Sequence, residues 1–125
     1  MYNLFLDDSR NVISVYKYTK NPIYIDNEWV VVRNYNDFVN TIIKNGLPKI
    51  ISFDHDLSDK KYILHLNKDE DLSKYREKTG YECAKWLVNY CLDNDLDIPE
   101  YYVHSYNTVG KTNIISYIEN FKKTR

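Results

Sequence analysis

The chain has 125 residues, 43% of them hydrophobic and 15% aromatic, with a formal net charge of -1. That length fits one domain with a core large enough to fold without staples. The near-neutral balance excludes a basic field for binding duplex nucleic acid.

Residues 3–6 read as a first strand, and residues 9–27 connect it to a second at 29–33 without clear helical periodicity. Over 36–44, Phe38, Val39, Ile42 and Ile43 fall on one helical stripe that Gly46 and Pro48 terminate. A third strand occupies 49–53. Residues 58–78 are dense in Lys, Asp and Glu, with only Tyr62, Ile63, Leu64, Leu66 and Leu72 to pack. Such a stretch is either a lid over the acidic residues before it or a solvated insertion, with His65 as surface decoration. Residues 80–92 place Ala84, Leu87, Val88 and Cys91 at helical spacing, and Thr79 with Glu82 forms a capping-box pattern. A fourth strand at 100–103 precedes a helix at 112–122 that buries Ile114, Ile115, Ile118 and Phe121.

None of the strands alternates cleanly, as expected where both faces of a parallel sheet are covered. Strands alternating with helices predict an α/β domain with about four parallel strands and flanking helices. Cys83 and Cys91 stand two helical turns apart, about 12 Å at 1.5 Å per residue, too far for a disulfide. No apolar run approaches the 18 or so residues of a membrane span, and Met1-Tyr2-Asn3 leads straight into a strand. A soluble, cytoplasmic chain with reduced thiols and no membrane partner is expected.

Two apolar strands end in carboxylates: Leu4-Phe5-Leu6 in Asp7-Asp8, and Ile50-Ile51-Ser52-Phe53 in Asp54-His55-Asp56. On an extended chain Asp54 and Asp56 share a face, with His55 opposite. The plainer alternative makes Asp54 a turn residue that caps the next segment. Ligands of open parallel sheets bind beyond the carboxyl ends of the strands, so the fold would gather Asp7, Asp8, Asp54 and Asp56 with His104 and Ser105. Mg2+ or Mn2+ suits such oxygen ligands and relieves their repulsion.

His104 and His55 are candidates for acid–base work; each could equally hydrogen-bond a neighbouring loop. Arg10 and Arg33 could clamp a phosphate or simply pair with an aspartate. Gly110-Lys111-Thr112 resembles the tail of a P-loop, but the glycine required five residues earlier is Ser105, so the motif is not a Walker sequence. Helix-start amides of residues 109–113 could still receive a phosphate, with Asn107, Lys111 and Asn113 as candidate phosphate-binding residues. His55-Asp56 also suggests an HD-type phosphohydrolase, although those dyads belong to helical domains. Asp54 to Ser58 resembles a haloacid-dehalogenase nucleophile signature in inverted order.

With these residues in view, the chain resembles the cyclic-phosphate processing receiver domains, a bacterial and phage group related to response-regulator receivers. The likeness rests on Leu4-Phe5-Leu6-Asp7-Asp8 with Arg10, residues 29–33, Gly46-Leu47-Pro48, residues 51–57, Thr79-Gly80-Tyr81 with Trp86-Leu87, and His104-Ser105 with Asn107, Gly110 and Asn113. It implies a receiver-like, flavodoxin-like sheet with an acidic metal site. Asp7 and Asp8 match the metal-binding pair, Asp54 the phosphoacceptor and Ser105 the switch hydroxyl. An ordinary receiver's first helix, its fifth strand and the lysine on that strand have no counterpart, which disfavours phosphorelay signalling. A sheet lacking an edge strand can be covered by a second copy, so a monomer or homodimer is expected.

The resulting expectation is a metal-dependent phosphodiesterase or phosphohydrolase acting on a cyclic phosphate of a nucleotide or RNA end. In a phage or bacterial conflict system it would degrade a cyclic nucleotide signal. Asp7, Asp8, Asp54 and Asp56 would hold metal, Arg10 or Arg33 the phosphate, and His104, His55 and Ser105 the chemistry. The alternatives are a non-catalytic module that sequesters a phosphorylated nucleotide and a degenerate response-regulator receiver.

Overall fold

The computed structural model describes residues 1–57 and 79–125. Strands β1 (Asn3–Leu6), β2 (Val30–Val32), β3 (Ile50–Phe53) and β4 (Glu100–Val103) form one parallel sheet in the order β2-β1-β3-β4. Helices α1 (Val12–Thr19), α2 (Ile23–Asp26), α3 (Tyr35–Asn45), α4 (Gly80–Asp93) and α5 (Thr108–Lys123) flank it. This is the expected receiver-like α/β architecture, with no fifth strand among the described residues.

The near-continuous apolar character of β1 and β3 follows from burial on both faces. Leu4, Leu6, Ile51 and Phe53 join a core with Phe38 and Ile42 of α3, Leu87 of α4, and Ile114 and Ile118 of α5. Phe5, pointing the other way, packs with Val15 of α1 and Tyr24 of α2. β2 differs because it is an edge strand: Val30 and Val31 remain 42% and 39% exposed.

Residues 9–27 are not the helix-free connection that periodicity suggests; they carry α1 and α2. Val12, Ile13, Val15, Tyr16, Tyr18 and Thr19 are β-branched or aromatic and weak helix formers. Two caps and the packing of Val15 hold α1 instead. The Asn11 side chain accepts from the Ser14 amide, and Lys20 closes the end in the left-handed region at φ 57. A lysine in that place hides the stop that glycine would advertise. Likewise α5 starts four residues earlier than expected, because Asn107 caps it by accepting from the Gly110 amide. The cap on α4 is as expected, with Thr79 accepting from the Glu82 amide.

The expected lid or insertion at 58–78, and His65 within it, lies outside the described residues. Cys83 and Cys91 are buried and form no disulfide. No helix among the described residues is long and apolar enough to cross a membrane.

From β1 the chain steps to β2 on one side, then crosses to β3 on the other. Strand order therefore reverses between β1 and β3, the position at which open parallel sheets form a crevice. Asp7 and Asp54 are the first residues past those two strand ends.

Candidate active site

Backbone hydrogen bonds extend one residue beyond the strands and fix three site residues. The Asp7 amide donates to Val32 O at 3.1 Å, the Asp54 amide to Leu6 O at 2.9 Å, and the His104 amide to Phe53 O at 2.9 Å. Their side chains converge, with ligand atoms of Asp7, Asp54 and His104 within 4.8 Å of one another and all three residues buried.

Asp7 is fully buried and well satisfied. Its Oδ1 accepts from the amides of Ser9 (3.0 Å) and Arg10 (2.8 Å), while Oδ2 faces Arg10 Nε at 3.0 Å and His104 Nε2 at 3.1 Å. Burial pushes its pKa up, but hydrogen bonds from His104, Ser9 and Arg10, with the charge of Arg10, overcome this and hold it below the ordinary value. Asp54 has less support: Arg10 Nη2 lies 3.1 Å from its Oδ1. Burial and the neighbouring charge of Asp7 raise its pKa against the pull of Arg10 and His104. Half-buried Asp8 is raised too, by burial and then by Asp7, while Ser9 Oγ donates to it at 3.2 Å.

His104 sits in a buried relay. With Asp7 held ionised, Nε2 carries the hydrogen and donates to it; Nδ1 faces Ser52 Oγ at 2.6 Å, which in turn contacts Tyr24 Oη at 2.7 Å. The imidazole also stacks on Phe5 at 4.7 Å between centroids. Only 2% exposed and engaged at both nitrogens, the ring acts on the crevice through Asp7.

Arg10 is ion-paired with both Asp7 and Asp54, so two carboxylates share one guanidinium. The ligand atoms of two buried carboxylates and an imidazole lie close enough together to hold a metal ion. Asp54, raised by burial and then by the charge of Asp7, is a group that a cation would hold ionised.

The other candidates divide. Asp56 does not share a face with Asp54, because β3 ends at Phe53 and strand alternation stops there. Its exposed carboxylate instead lies 2.9 Å from His55 Nδ1, and Asn107 Nδ2 donates to it at 3.3 Å. Among the described residues, Nδ1 is the one nitrogen of the His55 ring that is engaged. Ser105 Oγ accepts from the Asn107 amide. Arg33 Nη1 donates to the carbonyls of Asp7 (3.2 Å) and Arg10 (2.7 Å), stapling the loop after β1. Lys111 and Asn113 are exposed on α5; Lys111 lines an open cleft with Tyr24, Tyr101 and Tyr102, away from the carboxylates.

Two glycines mark close approaches. A Cβ on Gly80 would lie 1.8 Å from the Asp54 carbonyl oxygen, and one on Gly110 would lie 2.3 Å from His55 Cγ. Both helix starts are thus pressed against the chain after β3, and the Gly80 amide donates to His55 O at 2.7 Å. Ser52, Tyr18, Tyr24 and Tyr106 join the site without belonging to any motif in the sequence. A hydroxyl inside the apolar run of β3 was the available signal for Ser52.

The family model of the cyclic-phosphate processing Receiver domain matches residues 2–120. The chain belongs to this family. No curated protein and no solved structure gives a significant match. Within the cyclic-phosphate processing receiver fold, the carboxylates that follow β1 and β3 lie where strand order reverses.

Proposed function

We propose that this receiver domain is a metal-dependent phosphohydrolase acting on a cyclic phosphate of a nucleotide or RNA end. The observation that carries this reading is the buried Asp7–Asp54–His104 group at the strand-order reversal, where burial and the charge of Asp7 raise the pKa of Asp54. Asp7 and Asp54 would hold Mg2+ or Mn2+ through their carboxylate oxygens, with His104 kept as the hydrogen-bond partner of Asp7. Bound there, the ion would supply Lewis-acid stabilisation of charge on the phosphoryl oxygens.

The chain's own residues take the remaining tasks. His104 and Ser52 fix the orientation of Asp7. Arg10, planar and permanently charged, faces the carboxylates and is placed to neutralise equatorial phosphate oxygens. His55, oriented through Nδ1 by Asp56, has Nε2 to accept a proton from water and return it to the leaving oxygen.

A non-catalytic phosphate-binding module is the second reading, favoured by Arg10 itself, which bridges Asp7 and Asp54 as a built-in cation. Nucleoside 2′,3′- and 3′,5′-cyclic phosphates and cyclic oligonucleotides, incubated with protein and Mn2+ or Mg2+ and followed by 31P NMR, separate the two. Ring opening that chelator stops supports the hydrolase. Saturable binding with no phosphorus shift to product supports the module.

A further inference from the structure

Tyr106 is 69% exposed, a large aromatic surface left to water in the short turn between β4 and α5. Its ring is nonetheless ordered by contacts on one side. It stacks on Tyr18 with centroids 4.4 Å apart and planes 29° from parallel, and Arg10 Cζ lies 4.8 Å from its centroid. Arg10 is held in turn by three bonds: Nε to Asp7, Nη2 to Asp54 and Nη1 to the Tyr18 hydroxyl at 2.9 Å. Tyr18 donates to the carbonyl of His104, tying the stack to the end of β4. A rigid ladder therefore runs from the buried carboxylates through one guanidinium to an exposed aromatic face.

We propose that Tyr106, braced by Tyr18 and Arg10, is a stacking platform for the nucleobase of the ligand whose phosphate reaches the Asp7–Asp54 crevice. A base is the planar group that accompanies a cyclic phosphate, and an aromatic ring already fixed in place gives up little conformational freedom when a base settles on it. The guanidinium beneath strengthens the stack by cation–π attraction. Stacking of this kind accepts any base, so the platform selects nucleotides over base-free phosphate esters without reading sequence. The assignment rests on the cyclic-phosphate reading above and specifies the rest of the ligand.

The test compares adenosine 2′,3′-cyclic phosphate with base-free glycerol 1,2-cyclic phosphate, reading affinity by ligand-observed NMR and ring opening by 31P NMR in the same Mn2+-containing samples. Wild type is expected to prefer the adenosine compound by about tenfold or more. Y106A should erase that preference, and Y106F should keep it. Equal affinity of wild type for the two compounds overturns the platform, and so does a preference that survives in Y106A. Binding with the expected preference but no ring opening leaves the platform standing and removes the hydrolase. Ring opening of both compounds without preference does the reverse.

Discussion

His104 Nε2 lies 3.1 Å from Asp7 Oδ2, and neither side chain is exposed to solvent. That contact, with Arg10 on the same oxygen and the Ser9 and Arg10 amides on the other, outweighs burial and holds Asp7 below its ordinary pKa, while burial and the charge of Asp7 hold Asp54 above it. One site thus contains a carboxylate held by several donors and another held by Arg10 alone. Separations of this kind mark groups with different roles.

Asp54→Asn should raise the melting temperature of metal-free protein at neutral pH. The raised pKa means the folded state binds the Asp54 proton more tightly than the unfolded chain does. Its favourable contribution is therefore full below the ordinary value of 3.8 and is lost as pH rises through the higher folded value. The advantage of the variant should shrink as pH falls toward 3.8. Asp7, shifted down, behaves oppositely: its contribution is present above 3.8 and disappears as pH falls through its lower folded value. Mn2+ at a hundred times its Kd should stabilise wild type by about 2.7 kcal/mol and do little for Asp54→Asn. Thermal melts across pH, with and without Mn2+, check both signs; a less stable metal-free variant at pH 7 would contradict the assignment.

His104→Ala should cost about 3 kcal/mol in urea denaturation, combining a buried cavity with polar partners left unpaired. Ser52 loses its contact at Nδ1 and Asp7 loses a donor. His104→Asn, which keeps a side-chain donor near Asp7, should recover part of the loss. A His104→Ala variant within about 0.5 kcal/mol of wild type would mean the relay carries no structural weight.

Much of the sheet was legible because β1 and β3 are buried on both faces, and that burial writes itself as unbroken apolar runs. The acidic strand ends stand out for the same reason, since a carboxylate directly after such a run breaks the apolar pattern abruptly. Helix α1 was hidden by its weak helix formers and by Lys20 in the left-handed closing position. The divergence of Asp54 from Asp56 was hidden because alternation was carried past the last strand residue. The engagement of both His104 nitrogens depends on Ser52 and Asp7 from two other strand segments, a long-range meeting that no local pattern encodes.

Gly80→Ala and Gly110→Ala should differ in kind. The Gly80 Cβ would meet backbone, the Asp54 carbonyl at 1.8 Å, which cannot yield without moving the carboxylate's own residue. A loss of about 3 kcal/mol or more is expected in denaturant melts. At Gly110 the obstacle is a side chain, His55, which can swing aside. The ~1 kcal/mol that alanine gains in a helix should nearly offset that displacement. Gly110→Ala should therefore fold almost as stably as wild type while shifting the His55 ring resonances in NMR. Unmoved His55 resonances would show that the ring is not seated against α5.

The division of labour between the two histidines is the sharpest test of the proposed chemistry. His55 is partly exposed, and its Nδ1 faces Asp56 Oδ1 at 2.9 Å; His104 is sealed behind Asp7. General acid–base catalysis contributes about 10²–10⁴-fold, so His55→Gln should lower turnover of adenosine 2′,3′-cyclic phosphate by at least about a hundredfold. Stability should fall by about 1 kcal/mol, since glutamine fills only part of the space that the largely buried ring occupies against α5. Asp56→Asn keeps the shape but removes the charge that orients the imidazole, and should weaken turnover by a smaller factor. Metal affinity, followed by the Mn2+-dependent melting shift, should survive in both variants, since Asp7 and Asp54 are intact. If His55→Gln turns over at the wild-type rate, the proton passes by another route and the His55–Asp56 pair serves only to pack the start of α5.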